Sequence, residues 1–171
     1  MYVSLWALPE LIEAAVRSGN ADLATEPMAR LAESTQAGGT DFGLGIEARS
    51  RALLSENDAA EHLYCDAIGR LGRTRVRVEV ARAYLLYGEW LRRERRRLDA
   101  REQLRPAYQM FTEMGAEAFA ERARRELSAT GETVRTRPID SPGELTPQEV
   151  RIGWMARDGA SNQEIATQLF I

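Results

Sequence analysis

The sequence predicts an all-α fold: about seven helices paired as antiparallel hairpins, then a linker, then two short helices. Three observations predict it. The apolar residues are mostly Ala, Leu and Val, only 7% of residues are aromatic, and Arg and Glu dominate the charged set. Ala, Leu, Arg and Glu all favour helix. Apolar positions recur at helical spacing from about residue 4 to residue 130, and the breaks between them are short and hold Gly, Asn or Asp.

The first helix is expected over about 4–18, with Leu8, Leu11, Ile12, Ala15 and Val16 on one face and Ser18-Gly19-Asn20 closing it. The second runs over about 21–37 and stops at Gly38-Gly39. The third, about 41–55, and the fourth, about 57–70, are separated by Glu56-Asn57-Asp58, where Asn57 or Asp58 is a natural N-cap. The fifth, about 75–94, carries Val76, Val80, Ala83, Tyr84, Tyr87 and Leu91. The sixth, about 98–114, ends at Gly115, and the seventh, about 116–129, ends at Gly131. Pro27 and Pro106 fall inside predicted helices. Each removes a backbone donor, so each is expected to kink its helix or restart it.

Paired helices of this length suggest a repeat. Ala60, Tyr64 and Ala67 form a small-large-small set, and Ala100, Leu104 and Ala107 repeat it 40 residues later. Ala21, Thr25 and Met28 lie 39 residues before the first set and match it less well. Tyr84, Gly88 and Leu91 give a large-small-large set on the helix before. Two antiparallel helices approach closely only where small residues lie at the crossing. The hairpins of residues 1–130 are therefore tetratricopeptide-like.

The formal net charge of −3 argues against a generic polyanion binder. Its distribution is uneven. Residues 1–69 hold 11 acids and 4 Arg, residues 70–105 hold 12 Arg and 5 acids, and residues 106–171 hold 7 Arg and 10 acids. The basic middle is expected to be a solvated helix face with Arg–Glu pairs at helical spacing, because Glu79, Glu89, Glu94 and Glu102 are threaded through it. There is one Cys, so an intrachain disulfide is excluded. No signal peptide and no long apolar run is evident, so a cytoplasmic protein without membrane contact is expected.

Residues 131–144, GETVRTRPIDSPGE, break the helical pattern and read as a linker. The remainder, 145–171, is LTPQEVRIGWMARDGASNQEIATQLFI. Thr146-Pro147-Gln148-Glu149 is a capping box with Pro at the first helical position, and Ser161-Asn162-Gln163-Glu164 is a second capping box. Asp158-Gly159 closes the helix between them. Two short helices joined by a tight Gly turn are how a helix-turn-helix begins.

These residues resemble the start of the LuxR-type DNA-binding domain. Upstream, ARAYLLYGEWLRRERRRLDAREQLRPAYQMF and RALLSENDAAEHLYCDAIGRLGRTR are similar to the helical repeats that precede this domain in the large, MalT-like LuxR regulators. The resemblance implies a transcription regulator whose repeats sense a signal or contact protein. It implies DNA as a partner of the intact family, and a protein partner or self-association through the repeats. Phosphate-contact candidates are Thr146, Ser161, Asn162 and Gln163. The motif is carried structurally by Leu145, Glu149, Val150, Gly159, Glu164, Ile165, Ala166, Leu169 and Ile171. In the family the motif continues through Ser-Pro-x-Thr-Val into the recognition helix, whereas these residues stop at Ile171. The expectation is thus an incomplete helix-turn-helix, and the alternative is a repeat module that binds protein without binding DNA. Gly153 and Trp154 depart from the family pattern.

No cofactor or metal is expected, and no enzyme. The chain has no Lys, hence no phosphate-loop lysine. His62 and Cys65 share one helix face, and are expected to be a partly exposed imidazole and a buried thiol. Glu10/Glu13 and Glu113/Glu117 are expected at the surface, without converging partners.

Base readout requires side chains of the recognition helix in the major groove. Residues 145–171 hold three acids and two Arg, so they lack an electrostatic footprint as well. In a gel-shift series at low salt, this polypeptide should show weak, sequence-independent binding or none. Specific binding at nanomolar concentration would overturn the expectation.

Overall fold

The computed structural model describes residues 2–132 together with Met155 and Arg157. The chain divides into two units, residues 1–134 and 135–171. In the second unit Met155 and Arg157 are both helical. All other described residues belong to the first unit.

The first unit contains seven α-helices among the described residues, and no strand. They are α1 (Tyr2–Arg17), α2 (Thr25–Gly38), α3 (Asp41–Ala52), α4 (Asn57–Gly72), α5 (Arg77–Arg93), α6 (Arg97–Glu113) and α7 (Glu117–Ala129). A 3₁₀ turn, Ala21–Ala24, precedes α2. Each helix packs on its neighbours in sequence, most extensively α3 on α4, α5 on α6 and α6 on α7, so the stack consists of antiparallel hairpins. Contacts also join α1 to α3 and α5 to α7. The odd-numbered helices therefore share one side of the stack.

The helix ends follow from one device used four times. Gly19, Arg95, Gly115 and Gly131 adopt positive φ after α1, α5, α6 and α7. The next amide then donates back to a residue one turn inside the helix: Asn20 to Ala15, Arg96 to Leu91, Ala116 to Phe111 and Glu132 to Leu127, at 2.9–3.2 Å. This is the Schellman arrangement, in which a left-handed residue lets orphan carbonyls find donors. All four receiving residues are buried, so each cap is locked by the core. Arg95 holds this conformation at φ 63° without being Gly, which costs roughly 1–2 kcal/mol.

Several boundaries differ from expectation for visible reasons. Asn57 and Asp58 are not caps. Asn57 opens α4 with φ 52°, Glu56 stands at the cap position, and no side chain caps this helix. Thr40 does cap α3, accepting from the Gly43 amide at 3.1 Å. Pro27 lies in the first turn of α2, where the amide donor is not needed, and the 3₁₀ turn before it supplies the expected restart. Pro106 neither ends nor restarts α6, which continues to Glu113. Leu104 and Ala107 on either side of it are fully buried and hold the helix in place.

Two hydrophobic clusters form the core. One gathers Leu8, Ile12, Ala15, Ala24, Leu31 and Ile46 with Leu71 and Ala83. The other gathers Tyr64, Leu85, Tyr87, Trp90, Leu91, Leu104, Phe111 and Leu127. Ile68 packs against both. The small-large-small sets at Ala60-Tyr64-Ala67 and Ala100-Leu104-Ala107 are fully buried. The first repeat is three residues later than expected. Ala21 and Thr25 are exposed, whereas Ala24 and Leu31 are buried and Met28 packs between them. Leu11, expected on the core face of α1, is 50% exposed.

Close crossing depends on two glycines. A Cβ at Gly45 would lie 2.7 Å from Leu71 Cγ, and one at Gly88 would lie 2.5 Å from Leu104 Cγ. Gly69, in α4, has open space around it. The same substitution should therefore have opposite signs. Gly88→Ala should destabilise by about 1–3 kcal/mol through overpacking, and Gly69→Ala should stabilise by about 0.5–1 kcal/mol through helix propensity. Urea unfolding of the two variants measures both, and equal effects would contradict the close-approach account.

Candidate functional site

The candidate residues of the helix-turn-helix, Thr146, Ser161, Asn162 and Gln163 with Leu145, Glu149, Val150, Gly159, Glu164, Ile165, Ala166, Leu169 and Ile171, lie outside the described residues, as do Gly153 and Trp154. The chemistry the structure places together is elsewhere, on the side shared by the odd-numbered helices.

Glu13 on α1 is the hub. It accepts from Arg17 Nε at 3.0 Å, Arg122 Nη1 at 2.9 Å and Arg82 Nη2 at 3.0 Å. Glu89 on α5 accepts from Arg17 Nη2 at 2.5 Å and from Arg122 Nε and Nη2 at 2.6 and 2.9 Å. Arg82 also donates to both carboxylate oxygens of Glu10, and its guanidinium carbon lies 5.6 Å from the Phe119 ring centre. Arg49 on α3 donates to Glu79 Oε2 at 2.5 Å, and Glu79 Oε1 lies 3.9 Å from Arg82 Nη1. Four acids and four arginines thus form one connected, charge-balanced network across α1, α3, α5 and α7. Glu13, Glu89, Arg82 and Arg49 are all buried. A buried carboxylate requires such partners, because desolvation of an unpaired charge is costly.

This overturns the expected surface position of Glu13, which is buried. Glu10 is exposed as expected, but both acids converge on Arg82, against the expectation of no partner. Glu113 is at the surface and pairs with Arg77 at 2.6 Å, and Glu117 is exposed. The basic middle is also less local than expected. Arg73 reaches Asp41, Arg77 reaches Glu113, Arg92 reaches Glu126, Arg96 reaches Glu61 and Arg105 reaches Glu132. Pairs at helical spacing, such as Arg70–Asp66 and Arg96–Asp99, are the minority in this stretch.

His62 and Cys65 are both exposed on α4, so the thiol is not buried as expected. Cys65 Sγ lies 4.0 Å from Tyr87 Oη, which donates to Glu61 at 2.7 Å. Arg96 and then Tyr87 hold the Glu61 carboxyl below its usual range. Tyr64 stacks on Tyr87 at 5.3 Å between ring centres. Its hydroxyl is buried and has no partner among the described residues, and burial pushes the phenol above its ordinary value. Among the described residues, no three His, Cys, Asp or Glu side chains are placed to hold a metal ion. No helix among them is long and apolar enough to cross a membrane.

No protein-family model, curated protein or solved structure matches the chain.

Sequence reasoning missed the network because its pairs join residues as far apart as Glu13 and Arg122. The one available signal was the presence of Glu13, Arg82 and Glu89 among core residues of strongly apolar helix stretches.

The network makes stability depend on pH. Burial pushes the Glu89 carboxyl up to about 7, against the pull of Arg17. The charged groups facing it are Arg17 and Glu13 from α1 and Arg122 and Glu126 from α7. Its folded value lies above its unfolded one, so the folded state binds more protons between them. Stability from this group is therefore present below about pH 4.5 and is lost as pH rises to about 7. Glu61, Glu113 and Glu121 are shifted downward by their arginine partners and act oppositely, losing stability as pH falls below about 4.5. Thermal stability should peak near pH 5 and decline towards pH 8, by at most about 1.4 kcal/mol per pH unit for Glu89 alone. Glu89→Gln should flatten the decline above pH 5, as read by melting temperature against pH. A variant that keeps the wild-type slope would show that another group is responsible.

Proposed function

We propose that the chain serves a LuxR-type transcription regulator, with residues 1–130 as a helical-repeat scaffold for signal sensing or protein contact and residues 145–171 as helix-turn-helix sequence. The observation that carries this reading is the pair of capping boxes in LTPQE and SNQEIA, placed after a run of helical hairpins. The role is non-enzymatic. The buried arginines and glutamates are engaged with one another, which suits a structural charge network better than acid–base chemistry.

A second reading, a protein-interaction module without DNA-binding activity, is favoured by the exposed apolar side chains Trp6, Leu23 and Leu98. Large apolar side chains left in solvent suit a contact surface.

The two readings separate in the host cell. Chromatin immunoprecipitation of the tagged natural protein should enrich discrete promoter sites if the chain serves a regulator. No enrichment, together with a stoichiometric co-purifying protein, would instead establish the interaction module.

A further inference from the structure

A cavity of about 230 Å³ opens between α1, α2, α3 and the start of α5. Leu31 and Ile46 form its apolar wall, and Phe42 lies at its mouth with the Trp6 ring 5.8 Å away. Arg49 lines the same space and is only 2% exposed. Its Nη1 is used twice, donating to the Glu79 carbonyl oxygen at 3.3 Å and to Glu79 Oε2 at 2.5 Å. Its Nε and Nη2 groups have no acceptor among the described residues. Neither nitrogen is a fully buried atom without a partner, so both keep access to open space, and the guanidinium edge offers its N–H groups as a fork that a planar acceptor matches.

The acids on the rim are already committed. Glu10 bonds Arg82, and Glu79 bonds Arg49 and faces Arg82. The cavity therefore offers a donor edge inside a largely apolar wall, the usual composition of a small-molecule site. An apolar cavity of about 150 Å³ holds benzene, so one ring with a short arm fits this space.

We propose that this cavity binds a small acyl compound, a carboxylate or an amide on an aromatic or branched apolar body, with the acyl oxygen on Arg49 and the body against Leu31, Ile46 and Phe42. The inference stands on the cavity alone and does not depend on the transcriptional reading.

The test is a titration of the ¹⁵N-labelled full chain with phenylacetate, phenylacetamide and toluene, followed at the Arg49 Nε–H resonance. A saturable shift in the millimolar range is expected with at least one acyl probe and not with toluene. Phenylacetate alone would identify a carboxylate ligand, and both acyl probes would show that the carbonyl suffices. Ser34→Leu, at the exposed part of the lining, should weaken binding by about tenfold with an unchanged melting temperature. No shift at Arg49 with either acyl probe, a shift as large with toluene, or unweakened binding to Ser34→Leu would overturn the proposal.

Discussion

Glu13 holds the first helix to the fifth and the seventh. Its two carboxylate oxygens receive Arg17, Arg82 and Arg122, and Glu89 receives Arg17 and Arg122 again from the other side. Hydrophobic burial alone does not make this closure. The cluster containing α1 is built with α2, α3 and parts of α4 and α5, whereas the α7 residues Ala123 and Leu127 belong to the other cluster. What joins α1 to α7 is charge. Burial makes that join sensitive to each arginine, since every guanidinium removed leaves Glu13 or Glu89 with fewer donors at a carboxylate already taken out of water. The join from α1 to α7 is thus ionic, whereas α1, α3 and α5 also share an apolar cluster.

The same constraint explains the uneven charge along the sequence. Within the first unit, the acids of the first third and those of α6 and α7 complement the basic middle. Arginines between Arg73 and Arg105 reach back to Asp41, Glu61, Glu10 and Glu13, and forward to Glu113, Glu126 and Glu132. Arg93, Arg95 and Arg97, in and beside the α5–α6 turn, are left without ion pairs among the described residues. Arginine suits these long reaches. Its fork bonds two carboxylates at once, as Arg122 does with Glu13 and Glu89, and a lysine ammonium is a poorer match to that geometry.

Most of the helices were legible in the sequence, because their ends are written locally. Gly19, Gly39, Gly115 and Gly131 occupy left-handed positions that other residues rarely adopt, and the small-large-small sets of the later hairpins mark real crossings. Less was legible where a local signal had a competitor. Asn57 looks like a cap, yet its own left-handed conformation places it inside the turn that opens α4. Ala21, Thr25 and Met28 fit the repeat spacing roughly, but the 3₁₀ turn shifts the register to Ala24, Met28 and Leu31. The charged site was legible least of all. Helical periodicity says that Glu10 and Glu13 share a face, but whether that face meets water or an arginine from 69 residues away depends on how the hairpins stack. The helix-turn-helix candidates at 145–171 rest on sequence pattern alone.

A filled odd-helix face also bears on where recognition can occur. Repeat proteins commonly bind partners along an extended inner surface. Here the buried side chains lining the shared face are bonded to one another, so a partner would have to replace interactions that are already satisfied. The cavity at the amino-terminal end differs because Arg49 pairs through Nη1 alone, leaving Nε and Nη2 without an acceptor among the described residues. It is not isolated from the network, since Arg49, Glu79 and Glu10 belong to both. An occupant on Arg49 is separated from Arg82 by a single carboxylate, and Arg82 is the residue that ties Glu10 and Glu13 of α1 to α5 and rests on Phe119 of α7. In this fold the Arg49 guanidinium at the cavity and the inter-helix closure are therefore adjacent parts of one electrostatic unit.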